Sequence, residues 1–78
     1  EQNLSARGRE RLTALQAWRS ELARSTGKPA YTVFSNATLI AIAEQGPGSL
    51  EALSEISGVG AAKLDKYGDA VLSVCAGA

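Results

Sequence analysis

Glycine and proline punctuate this 78-residue chain between its apolar runs, the pattern of a globular sequence and not of a low-complexity one. Gly27, Gly46, Gly48, Gly58 and Gly60 all fall between apolar runs, with Pro29 and Pro47 close by. Gly46-Pro47-Gly48 stops any regular element, because proline lacks a donor and glycine leaves the backbone unrestrained. Between the breaks, apolar residues recur at three- and four-residue steps, which is the period of a helix. The length makes one domain, near the lower limit for a self-sufficient core. A hydrophobic share of 45% with only four aromatics gives a small aliphatic core, above the composition of a disordered chain.

Residues 1–7 are polar and aperiodic and read as a flexible N-terminal linker, followed by one helical domain over 8–78. From Arg9, Leu12, Leu15, Trp18 and Leu22 mark a helix of about four turns, with Arg11, Arg19 and Arg24 on its other faces. Gly27 reads as its C-cap and Pro29 blocks continuation. Lys28 to Phe34 is a bulky connector. Thr32 to Phe34 suit a strand by propensity, yet no partner strand is near, so an extended or single-turn segment that plugs Val33 and Phe34 into the core is expected. Ser35 caps a helix over 36–45 with Leu39, Ile42 and Ala43 inward. Ser49 caps the next, with Leu50, Leu53 and Ile56 as its apolar edge and Glu51 and Glu55 outward. After the Gly58-Val59-Gly60 corner, Leu64, Val71, Leu72 and Cys75 line the last helix, which Gly68 interrupts at about 1 kcal/mol relative to alanine. Close approach of a neighbouring helix would offset that cost. The expected fold class is all-α.

Eight Lys/Arg balance eight Asp/Glu, and there is no histidine. Strong nonspecific nucleic-acid binding is disfavoured by that balance, although a local site using two to four cations is not. Without histidine, a nucleophile motif or metal-ligand spacing, catalysis within this domain, a metal and a cofactor are all unexpected. Cys75 lies on an apolar stripe and reads as buried filler in a reducing compartment. No apolar run approaches the ~20 residues of a membrane span. A chain that opens Glu1-Gln2-Asn3 and holds no methionine reads as a piece of a longer or processed protein.

The binding candidates gather at two places. A helix start at Gly60 leaves backbone N–H groups that can donate to a phosphate, with Lys63 and Lys66 in the first two turns. The same stretch can equally be a tight corner with a solvated lysine face balanced by Asp65 and Asp69. Tyr31, in the proline-containing connector beside Lys28, can present its ring to a base, a contact worth ~1–3 kcal/mol and tolerant of sequence. It can also pack over the bundle edge with its hydroxyl in water. Trp18 reads as core, and Tyr67 as a boundary packing residue.

Two stretches, in order, carry a resemblance. The run Pro29-Ala30-Tyr31-Thr32-Val33-Phe34-Ser35-Asn36-Ala37-Thr38-Leu39 resembles the middle of an HRDC (helicase and RNase D C-terminal) domain, most closely that of bacterial RecQ-family DNA helicases. Leu53, Ile56, Gly58-Val59-Gly60, Lys63, Leu64 and Tyr67-Gly68 resemble its second half. The resemblance covers residues 8 to 76 and implies a five-helix bundle, counting a short helix near Tyr31. It also implies an accessory domain of an ATP-dependent DNA helicase or related enzyme, in the bacterial cytoplasm at the nucleoid, acting in repair and recombination. Carried onto this chain, the DNA-binding surface would comprise Lys28, Tyr31, Val59, Gly60, Lys63 and Lys66. Val59, held exposed between two glycines, would touch a sugar or base.

Two functional readings follow. In the first, a monomeric domain weakly contacts single-stranded or junction DNA and tunes a helicase's choice of substrate. In the second, Tyr31 and Val59 dock against other domains of the parent helicase, with little DNA binding of their own.

Overall fold

A computed structural model describes residues 5–77. Four α-helices and one 3-10 turn follow in order: α1 (Ala6–Thr26), the turn η1 (Ala30–Thr32), α2 (Asn36–Gln45), α3 (Leu50–Ser54) and α4 (Ala61–Gly77). The all-α expectation holds. The connector forms the single turn η1, and no strand occurs among the described residues. Helix α1 packs against α2, α4 and η1, while α3 packs against α4.

Helix α1 starts earlier and runs longer than the periodicity alone indicates. Ser5 is its N-cap, with Oγ accepting from Gly8 N at 3.0 Å, so residues expected in the linker form its first turn. Residues 1–4 of that expected linker lie outside the described residues. At 21 residues α1 makes about six turns, closed by Gly27 at φ 72°. Ser35 caps α2 and Ser49 caps α3 as the sequence indicates. Helix α3 is only five residues long, so Ile56 reaches the core from the turn beyond it, and Leu50 stays 42% exposed.

The core joins Leu12 and Leu15 of α1, Val33 and Phe34, Leu39, Ile42 and Ala43 of α2, then Leu53, Ile56, Val59 and Val71. Trp18 lies half-buried at its rim rather than inside it. Its ring meets Phe34 at 6.1 Å and Tyr67 at 5.9 Å between centroids, and Phe34 meets Tyr67 at 5.8 Å. The two Tyr67 contacts are edge-on, the arrangement that ring quadrupoles favour. Cys75 is half-buried as well, and burial pushes its thiol pKa up, with Arg11 acting in the opposite direction. The close approach expected at Gly68 is to α3: a Cβ there would meet Leu50 Cδ2 at 2.7 Å.

Candidate nucleic-acid interface

Pro29 sets the entry to η1 at φ −59°, and two backbone bonds close the turn: Thr32 N to Pro29 O and Val33 N to Ala30 O, each 3.0 Å. The Thr32 hydroxyl also donates to Pro29 O, at 2.6 Å. Val33 and Phe34 then enter the core, each only 2% exposed. Driving those two residues inward leaves Tyr31 on the outside of the turn, 73% exposed. The ring is thus open to solvent and not packed over the bundle edge.

Where η1 runs into α2, its carbonyl groups point at cations. Lys63 Nζ donates to both Thr32 O and Val33 O, and Arg19 Nη1 donates to Phe34 O at 2.9 Å. Three consecutive carbonyls are thus met by side chains from α4 and α1. The Lys63 ammonium also lies 5.5 Å from the Phe34 ring centroid, where the ring face attracts a cation. Lys63 therefore joins the start of α4 to the tyrosine turn, and it is half-buried.

The other candidate residues are in different states. Lys28 is exposed three residues before Tyr31. Lys66, one turn beyond Lys63, is exposed with Nζ 5.9 Å from the Tyr67 ring. Gly60 is exposed, and its carbonyl accepts from Leu64 N at 2.9 Å as α4 begins. Val59 departs from expectation. It is 7% exposed and belongs to the core, so its side chain is not presented to a ligand. Gly58, at φ 94°, turns the chain so that the apolar residue between the glycines points inward. The corner offers backbone, not an apolar tip.

Sequence reasoning missed Arg11 and Arg19 as structural straps. Arg11 Nε donates to Ala43 O at 2.8 Å, meeting a carbonyl in the last turn of α2. Both arginines were placed on the outer faces of α1. They lie four residues before and after Leu15, which is fully buried, so their spacing was the available signal. Glu51, Glu55, Asp65 and Asp69 are exposed, and a shallow hollow beside α3 is lined by Leu50, Leu64, Asp65 and Asp69.

The element order and the clamped tyrosine turn define a small five-element helical bundle. Residues 8–75 match the HRDC domain family, and this chain belongs to that family. It is 47% identical over 68 residues to the ATP-dependent DNA helicase UvrD2 of Mycobacterium tuberculosis, covering 87% of this chain and 10% of that protein. It is 41% identical over 63 residues to the ATP-dependent DNA helicase Q-like 4B of Arabidopsis thaliana, covering 78% of this chain and 6% of that protein. The chain thus spans a tenth or less of these relatives. Among solved structures, D. radiodurans RecQ HRDC domain 3 superposes with a TM-score of 0.83 at 37% identity, over 87% of this chain and 90% of that one. The expected resemblance to a RecQ HRDC domain holds.

Proposed function

We propose that this HRDC domain is a non-catalytic accessory module that weakly contacts single-stranded or junction DNA and tunes the substrate choice of an ATP-dependent DNA helicase in repair and recombination. The observation that carries the reading is Tyr31, 73% exposed on a turn whose flanking residues are buried or bonded. An anchored aromatic with a free face suits stacking on an unpaired base. Lys28 and Lys66 would supply phosphate contacts, and the backbone N–H groups beyond Gly60 a further one. The relatives that match are DNA helicases, which supports a helicase as parent. The domain would act as a monomer without a cofactor, in the bacterial cytoplasm at the nucleoid.

With two lysines engaged, log affinity should fall with log salt at a slope of about −1.4 for a single strand. Isolated binding would be weak, and tethering to a helicase would make it effective through local concentration. The test is a fluorescence-anisotropy titration of a labelled single strand and a matched duplex at two salt concentrations. Salt-sensitive binding that favours the single strand is expected. No binding at low salt would overturn the reading.

A second reading, docking against another domain of the parent, is favoured by one feature: Leu50, 42% exposed beside Asp65 and Asp69. An apolar docking contact would respond much less to salt.

A further inference from the structure

We propose that Lys63 is a positioning residue for Tyr31 and not a phosphate ligand; the proposal rests on the single-strand reading above. A lysine in the first turn of an exposed helix ordinarily extends into water. Here the ammonium reaches back across the fold to the carbonyls of Thr32 and Val33. Two of its three N–H donors are committed there, and its charge rests near the Phe34 ring. A phosphate would find only the one remaining donor unless those bonds were given up.

What Lys63 holds is the backbone that immediately follows Tyr31. A three-residue 3-10 turn has little stability of its own, since hydrogen-bond geometry is poor and too few bonds offset the ordering cost. The Tyr31 ring adds no anchor. Among the described residues the aromatic contacts run between Trp18, Phe34 and Tyr67, and none involves Tyr31. Its direction is therefore set by the backbone of η1, and Lys63 ties that backbone to α4. A ring already held in place loses less freedom when a base stacks on it.

The test combines variants of the 78-residue chain with one measurement on the unaltered chain. Lys63→Met keeps the stem and removes the donors, while Lys63→Arg keeps donors for both carbonyls. Single-strand affinity should fall about three- to tenfold in Lys63→Met, without a change in salt slope, and return to within about twofold in Lys63→Arg. In a Tyr31→Ala background, Lys63→Met should cost nothing further. Labelling the two tyrosines with 3-fluorotyrosine gives one fluorine signal each, and the Tyr31 signal should shift in Lys63→Met and be restored in Lys63→Arg. Should Lys63→Met fail to fold, acetylation footprinting of the wild-type chain decides. Lys63 should react about fivefold slower than Lys28 and Lys66, and adding a DNA strand should protect the latter two alone.

A salt slope shallower by about 0.7 in Lys63→Met would make Lys63 a phosphate contact and overturn the proposal. So would Lys63 acetylation as fast as that of Lys28, or an unmoved Tyr31 signal. Failure of the single-strand reading shows separately, as Tyr31→Ala binding equal to wild type.

Discussion

Gly58 meets two demands at once. Its φ of 94° suits a residue without a side chain, and Thr38 of α2 fills the space where one would project. A Cβ there would run into the Thr38 hydroxyl and stand 3.3 Å from both Thr38 Cβ and Cγ2. Thr38 is buried and hydrogen-bonded to Ser35, so it cannot swing away without loss. Gly58→Ala should therefore destabilise the domain by about 2 kcal/mol or more, read as a lower denaturation midpoint with unchanged slope. Arg11 acts on two neighbours. Arg11→Met removes the charge-assisted bond to Ala43 O and should cost about 1.5–3 kcal/mol in chemical denaturation. It also removes the nearby positive charge that lowers the Cys75 pKa. Partial burial favours the protonated thiol in the fold, so this contribution to stability is complete below the ordinary thiol pKa. It is lost as pH rises through the raised folded value. Alkylation of Cys75 should accordingly reach half its maximal rate at a more alkaline pH than a free thiol does, and at a higher pH still in Arg11→Met.

Among the elements, α2 has a start held by two bonds to one serine. Ser35 Oγ accepts from Thr38 N at 3.2 Å and pairs with the Thr38 hydroxyl at 3.0 Å. Ser35→Ala would remove the cap and leave the buried Thr38 hydroxyl without that partner, for about 1–2 kcal/mol. In a domain this small each kcal/mol should appear as a fall of about 4–8 °C in Tm. These caps and the glycine and proline breaks were legible in the sequence because they act locally: Ser35 and Ser49 begin helices through side-chain oxygens that accept from the N–H three residues on, and Gly27 and Gly46 end them through a left-handed backbone. Val33 and Phe34 were legible too, since bulky apolar residues in a connector must be buried somewhere. The direction of Val59 was not legible, because the path of a two-glycine corner depends on Thr38, distant in sequence. The short α3 escaped for a related reason. Leu50, Leu53 and Ile56 keep a helical period although the helix stops at Ser54, as a turn can carry Ile56 to the same core. The Lys63 strap is a contact across thirty residues that no local pattern encodes.

For the whole molecule, four of the eight cations are engaged internally among the described residues: Arg11, Arg19 and Lys63 each hold backbone carbonyls, and Arg24 pairs with Glu21 at 3.3 Å. Basic residues used as straps add to the fold and leave less charge for an external phosphate chain. A neutral domain with few outward cations cannot hold DNA by electrostatics alone, so stacking must supply much of any affinity. The proposed function therefore turns on Tyr31. The most direct measurement is the dissociation constant of a labelled single strand for the wild-type chain and for Tyr31→Ala, taken side by side at low salt. Loss of one stacked base should weaken binding about 5- to 150-fold while thermal stability stays unchanged, because the ring is exposed. Equal dissociation constants for the two chains would contradict a DNA-contacting role for this surface.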